Sequence, residues 1–205
     1  MYSTLPAFVL GFHGCDRAVG ESVLSGKTIL RTSENDYDWL GHGVYFWEHN
    51  PQRALEYAQQ LAVNPGRARS PITDPFVLGA VVDLGHCLNL LESDSLQVLA
   101  GAYAALKRSF ESTDASMPVN SRPDEGGHHL LRHLDCAVIE YLYESMEQTD
   151  ESPFDSVRGV FFEGEDLYPN AGFKEKNHIQ VCVRNPNCIK GFFRVRKQDS
   201  AFALP

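Results

Sequence analysis

The chain has 205 residues, a length that suits one folded domain. Hydrophobic residues make up 43% and charged residues 22%, which excludes a disordered, collagen-like or low-complexity chain. Eighteen Lys and Arg against 27 Asp and Glu give a net charge of −9, which counts against broad, non-specific binding of a phosphate backbone. No apolar run approaches the roughly 18 residues of a membrane span, so no membrane association is expected. The opening stretch, MYSTLPAFVLGFHG, has no Lys or Arg ahead of its short apolar run and does not resemble a secretory signal. Cys15, Cys87, Cys136, Cys182 and Cys188 are odd in number, widely spaced and free of any CxxC. They read as reduced thiols, and the expected compartment is cytoplasmic. An effector exported without such a signal carries the same pattern.

FVLGF (8–12) reads as a buried strand, ended by a turn at His13-Gly14. SVLSGKTILRTS (22–33) is amphipathic, with Gly26 as a helix stop before a short extended piece. Residues 33–43 hold turn formers and form a loop, and VYFWE (44–48) follows as a strand. Asn50 then caps a helix that starts at Pro51 and runs through PQRALEYAQQLAV, with Ala54, Tyr57, Ala58 and Leu61 on one face. PFVLGAVVDLG (75–85) is a strand bounded by Pro and Gly. Residues 94–110 read as a helix capped by Asp94, residues 111–127 as a long exposed loop, and residues 128–147 as a second amphipathic helix. An acidic loop leads to strands at 156–163, 178–185 and 188–195, with a loop over 164–177. Strands cluster at both ends with helices between, which predicts an α+β domain with a mostly antiparallel sheet.

The chain has no P-loop, no GxGxxG after a strand, no HExxH and no GxSxG. His128, His129, His133 and Cys136 have spacings that one helix face can offer to a metal. His133 and Cys136 fall on core positions of that helix, however, and no acidic fourth ligand is evident, so no metal is expected. Glu163 and Glu165, at a strand end, suit either general acid-base work or a solvated turn.

A more specific pattern is spread along the chain. A strand meets His13-Gly14, GHGVYF then supplies Tyr45, ALEYA places Tyr57 on the next helix, and HIQVCVRN sets Gln180 on a late strand. In this order the residues resemble the ADP-ribosyltransferase superfamily, in the branch shared by diphtheria toxin and the poly(ADP-ribose) polymerases. In that branch a strand ends in His-Gly, a GxGxYF segment gives a tyrosine, a helix gives a second, and a catalytic Glu opens a late strand. Tyr57 falls one position beyond the family spacing. VLGAVVDLG (77–85) resembles the strand that follows in the branch, and ILR (29–31) the segment whose Arg lies near the adenosine half of the dinucleotide.

The resemblance implies an ADP-ribosyltransferase-like split antiparallel sheet with flanking helices, spanning residues 1–205, with a helical and loop insertion over about 90–155. It implies NAD as substrate, bound by His13, Gly14, Arg31, Tyr45 and Tyr57, with the two tyrosines sandwiching the nicotinamide ring. The implied catalytic residues are His13, Tyr45 and Gln180, with Glu163 or Glu165 supplying a carboxylate. Gln180 stands where the family has Glu; its amide can hold a ribose hydroxyl but carries no charge. The implied activity is therefore transfer of a single ADP-ribose, with nicotinamide released, to a macromolecular acceptor. Net charge slightly favours protein over nucleic acid as that acceptor. A bacterial toxin or defence protein fits, and with it an antitoxin or immunity partner. The alternatives are NAD glycohydrolysis on the same site, an inactive NAD-binding module, and an unrelated interaction domain in which His13, Tyr45 and Tyr57 are core residues.

Overall fold

Asp16 sets the first boundary of the chain: its carboxylate accepts the backbone N–H of Ala18 and caps the helix that follows. The computed structural model describes residues 8–65, 70–113, 115–121, 131–197 and 201. The first strand, β1 (Phe8–Asp16), runs straight through His13-Gly14 and does not turn there. Its neighbour β3 (Pro75–Asp83) pairs with it from Phe8↔Asp83 to Asp16↔Pro75, and that unbroken ladder carries the strand past the glycine. Helix α1 (Arg17–Leu24) consequently starts earlier than its amphipathic stretch suggests, and Gly26, at φ +72°, follows its end.

Strand β2 (Val44–Glu48) and helix α2 (Pro51–Val63) lie where the sequence places them. The Asn50 side chain accepts the Arg53 N–H, and Pro51 fills a position that needs no donor. Beyond β3, a three-residue strand, β4 (Cys87–Asn89), has no counterpart in the sequence reading. Helix α3 (Ser93–Thr113) takes Asp94 into its first turn and does not use it as the cap. Helix α4 (His133–Gln148) begins at His133 after Arg132, with no side-chain cap; His128 and His129 lie outside the described residues. Strands β5 (Ser156–Phe161), β6 (His178–Val183) and β7 (Ile189–Arg194) complete the fold.

The architecture is α+β. Seven strands form one sheet in the order β4-β5-β6-β2-β1-β3-β7, with four α-helices among the described residues. Every neighbouring pair is antiparallel except β4–β5, so the sheet is mixed and, as expected, mostly antiparallel. On one face, Phe46, Leu78, Ala80, Val181 and Val183 pack against Val23 of α1. On the other face, α2 sets Ala54 on Phe12 and Trp47, while α4 sets Ile139 and Tyr143 on Leu88, Val157 and Cys182. Helices α3 and α4 share a smaller apolar cluster through Ala102, Leu106 and Val138. Among the described residues, no helix is long and apolar enough to cross a membrane.

The sheet is narrowest at its centre. Strands β1 and β2 share only the pairs Gly11↔Glu48 and Phe12↔Trp47, and the ladder stops there. The expected split sheet is thus one continuous sheet with a thin junction, and the ladder ends at His13-Gly14.

Candidate functional site

The missing rung at that junction is filled by a side chain. Register would next bring the Gly14 N–H to the Tyr45 carbonyl. His13 takes that carbonyl instead, through its Nδ1 at 2.8 Å. A carbonyl oxygen only accepts, so Nδ1 donates and carries the ring proton; in the neutral ring Nε2 is left as an acceptor. Burial holds the His13 ring below its ordinary value, against the pull of the Tyr45 carbonyl, which keeps it neutral near pH 7. The Gly14 N–H is left without a partner on β2 at the open end of the junction. Gly14 also answers to packing: a Cβ there would run into the Ala54 carbonyl oxygen and the Ala58 side chain of α2. Only glycine lets the helix lie this close to β1.

Strand alternation sends His13 and Tyr45 to opposite faces. His13 lies on the α1 face, edge-on to Phe46 at 6.0 Å. Tyr45 lies on the α4 face against the cluster of Leu40, Ile139, Phe161 and Cys182. Its hydroxyl is fully engaged, donating to the Gly41 carbonyl at 2.7 Å and accepting the Leu40 N–H at 2.8 Å. Burial drives its pKa well above the ordinary value. Tyr45 therefore pins the 38–43 loop. No ring contact joins it to Tyr57, which stands half exposed on α2 and stacks obliquely on Trp47, with centroids 4.8 Å apart and 45° between planes.

A second group gathers beside Tyr57. Arg53, almost wholly buried on α2, donates through Nη2 to Glu163 Oε2 at 2.8 Å. This pair brings the β5–β6 connection to the helix and fixes the Glu163 carboxylate near Tyr57 and His178. His178 is buried at the start of β6 and stacks on Phe161 at 5.7 Å. Its Nδ1 donates to the Lys176 carbonyl at 2.6 Å, and its Nε2 lies 3.1 Å from Gln180 Nε2. Gln180 pairs with Trp47 across the ladder, so its side chain shares the face that α2 covers. Two buried donors in this group, Trp47 Nε1 and Arg53 Nε, have no hydrogen-bond partner.

The remaining candidates stand apart. Arg31 is exposed in the segment after α1, and no hydrogen bond or ion pair ties it to either group. Glu165 is exposed too, and its backbone carbonyl accepts the Glu175 N–H. His133 and Cys136 line a surface pocket of about 260 Å³ together with Asp36, His42 and Glu140. Among the described residues, no three His, Cys, Asp or Glu are grouped to hold a metal.

Trp47, Arg53 and His178 belong to the site and were not singled out in the sequence. Trp47 reads as a strand aromatic. Arg53 carries a local signal, a cation on the apolar side of an amphipathic helix. His178 has the parity of Gln180 on the same strand, which was the legible clue.

No family model matches the chain, and no solved structure matches it significantly. An uncharacterised protein of Methanocaldococcus jannaschii is 26% identical over 199 aligned positions, covering 87% of this chain and 83% of that protein.

Proposed function

We propose that the chain is a mono-ADP-ribosyltransferase that takes NAD as substrate. The observation that carries this reading is the β1–β2 junction, where the His13 ring replaces a ladder rung and leaves two groups to bind. His13 Nε2 accepts a ribose hydroxyl. The Gly14 N–H, beside Ala54 and Ala58 of α2, donates to the nicotinamide carboxamide. Tyr57 offers an aromatic face to the nicotinamide ring, and Tyr45 works from behind by holding the 38–43 loop.

The chemistry then needs little from the protein beyond orientation. The bond between the ribosyl C1′ and the nicotinamide nitrogen breaks, and nicotinamide leaves with the electron pair. The acceptor nucleophile adds to C1′ and gives its proton to the Glu163 carboxylate, which Arg53 holds in place. Gln180 holds a ribosyl hydroxyl without charge. A neutral amide there supports a single addition in preference to a growing chain. The β5–β6 connection exposes Phe162, Leu167, Tyr168 and Phe173 next to Glu163, which supports a protein acceptor.

Thermal denaturation with and without saturating NAD tests the reading. NAD should raise the melting temperature by mass action, and His13→Ala should lose most of that rise while staying folded. A melting temperature unmoved by NAD, with no heat of binding, would remove the basis of the proposal. With labelled NAD and an acceptor, each modified site should gain one ADP-ribose. Nicotinamide release without labelled acceptor would instead mark a glycohydrolase.

A further inference from the structure

Two hydrogen bonds at the start of β6 run from the backbone toward the cleft. The first, from His178 Nδ1 to the Lys176 carbonyl, places the ring proton on Nδ1. The neutral ring therefore has only a lone pair at Nε2. Gln180 Nε2, 3.1 Å away, is then the donor of the second bond. The Gln180 amide accordingly turns its NH2 group to His178 and its carbonyl oxygen away. A glutamine amide without such a partner is free to take either orientation, related by a half-turn.

We propose that His178 is a positioning residue that fixes the Gln180 amide with its oxygen toward the cleft, making that point an acceptor for a ribosyl hydroxyl of NAD. The proposal rests on the NAD reading of the site, but its geometric half does not need NAD. Protonation of His178 would put a proton on Nε2 as well. The amide would then flip, offering its oxygen to His178 and its NH2 to the cleft, so acid converts the acceptor into a donor. Two charged groups face His178: Glu163, from the β5–β6 connection, favours the charged ring, and Arg53, from α2, disfavours it. Trp47 from β2 and Phe161 from β5 bury the ring without charge. Burial prevails and keeps the ring neutral to below its ordinary range.

Nitrogen-15 spectroscopy of the full chain at pH 7.5, without NAD, reads the first half. The expected result is a neutral His178 protonated on Nδ1, with coupling across the hydrogen bond to Gln180 Nε2. A ring protonated on Nε2 would overturn the proposal whether or not NAD binds. Calorimetry with NAD from pH 7.5 to 5 reads the second half in wild type, His178→Phe and Gln180→Met. His178→Phe should bind NAD about fivefold more weakly at pH 7.5, the worth of one neutral hydrogen bond. It should also lose part of the wild-type fall in affinity on acidification, leaving the share that belongs to His13. Unchanged affinity and an unchanged pH profile in His178→Phe would overturn the assignment. No NAD binding by wild type at any pH would fail the NAD reading and the hydroxyl assignment with it. The ring-proton measurement would still decide how the amide is held.

Discussion

His13 and His178 share one device: each donates its Nδ1 proton to a backbone carbonyl and keeps Nε2 as an acceptor. Burial lowers the pKa of both below the ordinary 6.5. The unfolded chain therefore binds protons at these rings that the folded chain refuses. Stability from this source is complete above about pH 6.5 and is lost as pH falls toward the folded values. Asp16 titrates in a separate window. Backbone N–H groups of Thr73, Asp74 and Ala18 hold its carboxylate down to about 2, so its contribution is lost only below the ordinary 3.8. Urea midpoints should thus decline between pH 6.5 and 5, and His178→Phe should decline less steeply. A flat profile down to pH 5 would show that neither ring is buried in its neutral form. Glu163 and Glu165 differ in the same residue-level way, since one is held by Arg53 and the other is exposed. Glu163→Gln should slow transfer on the order of a hundredfold while NAD still binds, and Glu165→Gln should leave the rate unchanged. Equal rates in both variants and wild type would place the acceptor's proton elsewhere.

Helix α2 is the element on which both groups of the site depend. It presents Tyr57, buries Arg53, and lies so close to β1 that Gly14 has no room for a side chain. Gly14→Ala should lift α2 from the sheet and cost about 3 kcal/mol, the upper part of the range for overpacking. Denaturant midpoints measure this; a loss under about 0.5 kcal/mol would mean that the contact relaxes freely. The helix was legible from Pro51 to Val63 because its signals are local: an Asn cap, a Pro at the first turn, and a four-residue apolar rhythm. Strand β4 was not legible, because three residues show no alternation and its partner β5 lies far along the chain. The turn placed at His13-Gly14 failed for a similar reason, since pairing with β3 outweighs a glycine's local preference. Among the candidate residues, His13, Tyr45 and Gln180 were named from a motif; the structure joins the His13 ring to the Tyr45 backbone carbonyl and turns the Tyr45 ring to the α4 face. The tie of Arg53 to Glu163 spans 110 positions and leaves no local trace, so the carboxylate could be named from sequence only as one of two.

At the scale of the whole molecule, the sheet consists of two well-paired halves joined at one thin seam. On one side, β1, β3 and β7 form extended antiparallel ladders; on the other, β5, β6 and β2 do the same, with the short β4 parallel to β5 at the edge. Between them run two register pairs, the bond from His13 to the Tyr45 carbonyl at one end, and the bond from the His49 N–H to the Leu10 carbonyl at the other. Helix α2 lies against β1 and β3 and, through Ala54 on Trp47, against β2, so it spans the seam from above. Backbone hydrogen bonds that are few and end abruptly open at lower free energy than those in a long ladder. The Gly14 amide, with no partner on β2, should therefore exchange its proton sooner than the neighbouring amides on β1 that point to β3. A ligand that accepts from Gly14 and donates to His13 would close the seam from both sides and restrain the opening of both halves. Hydrogen exchange followed residue by residue, with NAD at saturation confirmed by calorimetry, should show added protection centred on 11–14 and 44–48. Little change should reach β7 at the far edge. Protection spread evenly over all seven strands would mean that NAD stabilises the fold globally, by mass action alone. Protection centred on the His133–Cys136 pocket would move the ligand site to α4 and leave the seam as a structural feature without a ligand.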